Sequence, residues 1–184
     1  MPVGARVLVT GACPIGRAAA FWAQRLGASR IAVMAASARR RQVALALGAT
    51  HFIARNDTPD PASAIRDALE GSPDVVLEAV GMSGAIAEAI DFVKPLGTVV
   101  SLGFSSGPDT FVPRVALTKE VRLLFSMCYD RQDFQYAADV MGAGDHRPRA
   151  MITDTVSLEA LPAKFEQLRG PSPDCKVMVA PWNA

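Results

Sequence analysis

The run Arg6-Val7-Leu8-Val9-Thr10-Gly11-Ala12-Cys13-Pro14-Ile15-Gly16 decides the fold. Its first five residues are a short apolar run rich in β-branched side chains, Val7 to Thr10 after Arg6, which predicts a strand buried on both faces. Gly11 stops that strand. Pro14 stands where a first helical residue tolerates the loss of its N–H. Beyond it Ile15, Ala19, Trp22 and Leu26 recur at helical spacing until Gly27, predicting a helix with those four on its inner face. Strand, tight turn and helix follow one another without a linker.

Outward from that unit the scheme repeats. Arg30 to Ala35 reads as a second strand, Ser37 is placed to cap, and Ala38 to Leu47 reads as a helix with Val43 and Leu47 inward, closed by Gly48. His51-Phe52-Ile53 completes a βαβαβ half. After a linker from Asn56 to Pro61 come a helix from Pro61 to Leu69, a strand Val75 to Glu78, a helix Ser83 to Phe92 and a strand Thr98 to Leu102. Arg122 to Ser126 is a sixth strand and Asp133 to Met141 a helix. A tail adds a helix from Leu158 to Leu168 and a strand from Lys176 to Val179. The expectation is an α/β doubly wound parallel sheet, the Rossmann fold, as a single domain with a C-terminal helix-strand tail. Gly, Pro and charge cluster between Gly142 and Arg149, which divides residues 1–150 from residues 151–184.

Length and composition agree with one domain: 184 residues, half hydrophobic and a fifth charged. The charge is unevenly placed. Met1 to Asn56 holds eight arginines and no Asp or Glu, formally +8, leaving eleven basic against eighteen acidic residues, −7, from Asp57 onward. A net charge of +1 gives no reason to expect a nucleic-acid or membrane-surface partner, whereas the acid-free first third points to a bound anion. No apolar run reaches the roughly 18 residues of a membrane span, and Met1-Pro2-Val3-Gly4 does not open like a signal peptide. A soluble, cytoplasmic protein is expected. Cys13, Cys128 and Cys175 are an odd, scattered set that fits free thiols.

Gly11-Ala12-Cys13-Pro14-Ile15-Gly16 fills the frame GxGxxG at its first and third glycines, between a strand and a helix. The first glycine allows the sharp turn, the third allows close packing, and the helix N-terminus attracts a dinucleotide's pyrophosphate. Cys13 replaces the middle glycine, so its side chain must turn aside or the ligand must ride higher, weakening binding. The alternative is a tight corner with no ligand. A reactive Cys13 thiolate has no base beside it in sequence. After the second strand, where a site for NAD carries an acid, stand Ala35 and Ala36, followed by Ser37, Arg39, Arg40 and Arg41. Guanidinium groups there suit a 2′-phosphate, so NADP is favoured over NAD, with Arg39 or Arg40 as the contact and Ser37 assisting. The alternative is a solvated basic face, since three successive arginines cannot share one side of a helix.

These runs, with Ala46-Leu47-Gly48-Ala49, Asp74-Val75-Val76-Leu77-Glu78-Ala79-Val80-Gly81 and Lys94-Pro95-Leu96-Gly97-Thr98-Val99-Val100, resemble the cofactor-binding half of the medium-chain dehydrogenase/reductase family, zinc alcohol dehydrogenase type. The end of the chain, with Ile152-Thr153, Ser157-Leu158-Glu159 and Lys176-Val177-Met178-Val179, is similar too. The resemblance implies a nicotinamide-dependent alcohol or carbonyl oxidoreductase whose zinc sits in a preceding catalytic domain, expected to be absent from this chain. Residues 1–150 would then be the dinucleotide-binding domain and 151–184 a segment that packs on the catalytic domain. It implies cofactor contacts at Gly11, Cys13, Pro14, Ile15 and Gly16, and at Ala79, Val80 and Gly81 on the adenosine side. Leu102, Gly103, Phe104 and Ser126 would border the nicotinamide. For the apolar members the alternative is sheet core. No catalytic residue and no metal ligand is assigned: His51 and His146 share no ligand spacing with a cysteine. Glu78 at a strand end suits a bond to local backbone or to the ribose region better than the role of a base. The edge strand Arg122 to Ser126 could pair with its copy in a homodimer. Alone, the chain is expected to bind dinucleotide without turnover. The alternative is a non-enzymatic dinucleotide-binding or redox-sensing module. A short-chain reductase would need Tyr-x-x-x-Lys, which neither Tyr129 nor Tyr136 begins.

Overall fold

The computed structural model describes residues 1–170 and 172–182. Among these, eight strands form two parallel sheets. The main sheet has the order β3-β2-β1-β4-β5-β6, with β1 Arg6–Thr10, β2 Arg30–Ala35, β3 His51–Ala54, β4 Val75–Glu78, β5 Thr98–Ser101 and β6 Arg122–Phe125. This is the doubly wound order of the Rossmann fold, and it reverses between β1 and β4. Strand β1 is central, and its residues Val7, Leu8 and Val9 are fully buried. Alternation then assigns each face its own core. Val7, Val9, Ile31, Val33 and Phe52 meet Ala20 and Ala23 of α1 (Pro14–Arg25) and Ala44 of α2 (Arg41–Ala46). Leu8, Ala32, Met34, Val76 and Val99 meet Ile65 and Leu69 of α3 (Pro61–Leu69) and Ala89 and Ile90 of α4 (Ala85–Phe92). Each such aliphatic side chain contributes about 1.5–3 kcal/mol on burial.

Helix α1 presents a different face from the one its large apolar residues suggest. Gly16, Arg17, Ala20, Phe21 and Ala23 are buried, while Ile15 is 54% and Leu26 53% exposed. Close approach sets the phase: a Cβ on Gly16 would overlap the Gly11 carbonyl oxygen, so the Gly16 side of the helix faces the sheet and takes Ala20 and Ala23 inward with it. The second predicted helix breaks into a 3-10 turn, Ala38–Arg40, followed by α2. Ser37 is extended as a cap should be, yet its side chain makes no capping bond, a correction to the role expected of it. Residues 83 and 84 lie outside α4, whose start is capped from elsewhere. Helix α5 (Pro113–Lys119) was not expected, although Pro113 is the proline of its first turn. Helix α6 (Arg131–Gly142) begins earlier than its apolar spacing indicated, because Asp130 and Asp133 form a capping box.

After a 3-10 turn, Arg147–Met151, the tail forms its own two-stranded sheet from β7 (Ile152–Val156) and β8 (Lys176–Val179), with α7 (Leu161–Leu168) between them in sequence. Lys164 of α7 ties it together through Asp154 at 2.7 Å and Asp174 at 2.9 Å. Pro171, Asn183 and Ala184 of the expected tail lie outside the described residues.

Candidate functional site

The turn after β1 is built as its residue types require. Gly11 has φ +94°, and a Cβ there would stand 2.8 Å from the Ala79 carbonyl oxygen. Cys13 is the extended N-cap of α1, with φ −66° and ψ 174°. Its thiol turns aside, as the missing middle glycine demanded. Sγ accepts from Gly16 N at 3.5 Å and donates to the Ala79 carbonyl oxygen at 3.3 Å. The side chain therefore caps α1 and ties it to the end of β4. Pro14 follows as the first helical residue, and Ile15 projects to solvent.

Above this turn, at the reversal of the sheet order, lies a cleft of about 380 Å³. Thr10, Gly11, Ala12 and Cys13 form one wall, Met34, Ala35 and Ala36 a second, and Ala79 and Val80 a third. Arg40 and Arg55 line it as well, and Arg55 pairs with Glu88 of α4. Arg40 is half-buried there, whereas Arg39 is exposed and Ser37, half-buried, is not among the lining residues. Arg55 was not singled out in the sequence. It follows β3, away from the arginine run, and its only signal was membership of the acid-free first third.

A second cleft, of about 340 Å³, opens beside the ends of β4 and β5, lined by Glu78, Gly81, Ser101 and Gly103 with Asp109 and Phe125. Here two chain segments touch through glycine: a Cβ on Gly81 would stand 2.7 Å from Phe104 N. Glu78 is 1% exposed and both of its carboxylate oxygens accept hydrogen bonds. It accepts from Val80 N at 2.6 Å, Gly81 N at 2.8 Å and Ser101 Oγ at 3.1 Å. It bonds local backbone and is a clamp between strand ends. Leu102 is half-buried behind β5, Phe104 is 84% exposed, and Ser126 is exposed just past β6. The nicotinamide-side candidates thus gather along the ends of β5 and β6, separate from the Arg40 cleft.

Asp109 reaches back from the loop after β5 and accepts from Gly84 N at 2.6 Å and Ile86 N at 3.3 Å, capping α4. The Gly84 N–H above all, with those of Ile86 and Thr110, holds its carboxyl below the usual carboxylate range. Among the described residues no three His, Cys, Asp or Glu side chains come together as a metal-ligand group. His51 Nδ1 lies 3.0 Å from Thr50 Oγ1, and Cys13, Cys128 and Cys175 are free thiols. No helix among the described residues is long and apolar enough to cross a membrane.

Residues 14–143 match the model of the zinc-binding dehydrogenases. The chain belongs to that family. The zinc-binding dehydrogenase match begins at Pro14 and runs through α6, so it covers the helix of the glycine turn and the ends of β2, β4 and β5 that border the two clefts. Sorbitol dehydrogenase of Gallus gallus is 31% identical over 170 residues, covering 89% of this chain and 46% of that protein. A Sinorhizobium meliloti 1021 protein solved with NADP bound superposes with a TM-score of 0.86 at 27% identity, over 97% of this chain and 53% of the other. An Escherichia coli CFT073 alcohol dehydrogenase solved with NADH gives a TM-score of 0.86 at 22% identity, over 97% and 53%, a likeness of fold. The chain spans about half the length of the curated relatives it matches.

Proposed function

We propose that this zinc-binding dehydrogenase domain binds the dinucleotide for hydride transfer between NADP(H) and an alcohol or carbonyl, and that it prefers NADP to NAD. One observation carries the preference: the cleft beyond β2 is lined by Ala35, Ala36, Arg40 and Arg55, and its one carboxylate, Glu88, is paired with Arg55. An adenosine 2′-phosphate would find cations there, and a bare 2′-hydroxyl would find no free acid to accept its proton. Gly11 and Gly16 allow the chain to turn closely there, and the α1 N-terminus would hold the diphosphate.

When bound, the nicotinamide accepts or supplies the hydride. The chain's own residues bind and orient. Arg40 would hold the adenosine end, Ala79, Val80 and Gly81 would border the adenosine side, and Leu102, Gly103, Phe104 and Ser126 would border the nicotinamide. The described residues offer no ligand set for zinc, so no step is assigned to a metal in this chain. By itself the chain binds without turnover, because both clefts are open and hydride transfer needs a substrate held against the ring with water excluded. Strand β6 pairs with its copy to make a homodimer.

Calorimetric titration with NADPH and NADH tests the proposal. NADPH should bind at least about tenfold more tightly, and Arg40→Ala should remove most of that margin while Arg39→Ala changes it little. Equal affinity for the two dinucleotides, unmoved by Arg40→Ala, would overturn the NADP assignment.

A further inference from the structure

The turn carries two buried polar side chains that the described residues leave short of partners. Arg17, in the first turn of α1, is fully buried, yet among the described residues neither Nη1 nor Nη2 has a hydrogen-bond partner. Its Nε donates to the Cys13 carbonyl oxygen at a long 3.5 Å, and that oxygen already accepts the Arg17 backbone N–H. Thr10, the last residue of β1, is equally buried, and its Oγ1 is likewise without a partner. Orphaned buried donors are rare in folded proteins and cost stability, a charged one most of all. These two flank the glycine turn, one before it and one after.

Among the described residues no carboxylate acts on Arg17. The ionisable groups that act on it are Cys175, Arg40 and Cys13, with no carboxylate among them, and burial is the main influence holding its guanidinium below the ordinary arginine range. Burial likewise pushes the Cys175 thiol up, so it does not serve as a thiolate partner. Thr10, Cys13 and Arg40 all line the cleft beyond the turn. A guanidinium and a hydroxyl without acceptors, beside a helix N-terminus in a stretch free of acids, make a site short of an anion with several oxygens.

We infer that Arg17 and Thr10 are phosphate-binding residues of this site, donating to phosphoryl oxygens of the bound nucleotide. The inference rests on the dinucleotide reading above and adds two side chains that the glycine pattern does not contain, Thr10 in the cleft wall and Arg17 buried behind the Cys13 carbonyl. It also explains why the protein keeps a buried charge without a partner: the ligand supplies one.

Adenosine, 5′-ADP and 2′-AMP, titrated calorimetrically into the 184-residue chain, separate the phosphate contribution from the rest. Arg17→Met should weaken 5′-ADP or 2′-AMP by about tenfold or more and leave adenosine unchanged. A loss confined to 5′-ADP places the site on the diphosphate, and a loss confined to 2′-AMP places it on the ribose phosphate. Thr10→Val should act the same way by a few-fold, and Arg17→Lys should keep part of the affinity. Both Arg17→Met and Thr10→Val should melt no lower than the parent without ligand, since each removes an unsatisfied group. If Arg17→Met fails to fold, Thr10→Val and Arg17→Lys carry the same comparison. Phosphate ligands bound as tightly by the variants as by the parent, or adenosine lost in equal proportion, would overturn the inference while leaving the dinucleotide reading intact. A parent chain that binds none of the three ligands would remove that reading and the inference with it.

Discussion

Glu78 shows how a charged residue can be structural inside a site. Its carboxylate satisfies Val80 N, Gly81 N and Ser101 Oγ, so it joins the end of β4 to the end of β5 where Gly81 and Gly103 cross. Glu78→Ala would leave two part-buried N–H groups and a buried hydroxyl without an acceptor. At about 1–3 kcal/mol for each buried unsatisfied group, the melting temperature should fall by several degrees. Glu78→Gln, which keeps one carbonyl oxygen in place, should lose less. A melt unchanged by Glu78→Ala would show that the clamp does not hold the strand ends. Gly11, Cys13 and Gly16 were legible in the sequence because a turn between strand and helix restricts residue type. The orphaned Arg17 was not, since a charge four residues into a helix reads as its outer face.

Among the elements, α4 depends on a cap from far along the chain. Asp109, held below the usual carboxylate range by the Gly84 N–H, stabilises the helix start while ionised. The folded carboxyl titrates lower than the unfolded one. Its contribution is therefore complete above the ordinary aspartate range, near pH 4, and is lost as pH falls through the depressed value. Hydrogen exchange at Ile86 and its neighbours should speed up on acidification in the parent, and Asp109→Asn should show faster exchange already at neutral pH with little further change. Exchange indifferent to both would remove Asp109 from that role. Sequence spacing could not show this cap, because Asp109 and Gly84 are 25 residues apart. The strands were legible from their apolar runs. The face of α1 was not, because close packing of Gly16 on Gly11 outweighs the burial of Ile15 and Leu26, and side-chain size alone points the other way.

At the scale of the molecule, the sheet ends on one side at β6, and that edge is apolar: Leu124 is half-exposed and Phe125 is 72% exposed. The N–H groups of Arg122 and Ser126 bond inward to the Gly97 and Ser101 carbonyls. By alternation those of Leu123 and Phe125 point to the open edge. An exposed apolar strand edge with free donors is a template for pairing, and pairing with its own copy about a two-fold axis closes it. Phe125→Pro removes one outward N–H and most of the aromatic surface while sparing the inward bonds, and proline is tolerated on an edge strand. Light scattering coupled to size exclusion should give twice the chain mass for the parent and the single-chain mass for Phe125→Pro, with circular dichroism unchanged. A parent that runs as a monomer at tens of micromolar, or a variant that stays dimeric, would dismiss the β6 edge as the interface. The charge split gives a second check at the same scale. The Arg40 cleft draws its arginines from the basic first third and lies at the β2 side of the sheet, away from β6, so Phe125→Pro should leave 5′-ADP affinity where it was.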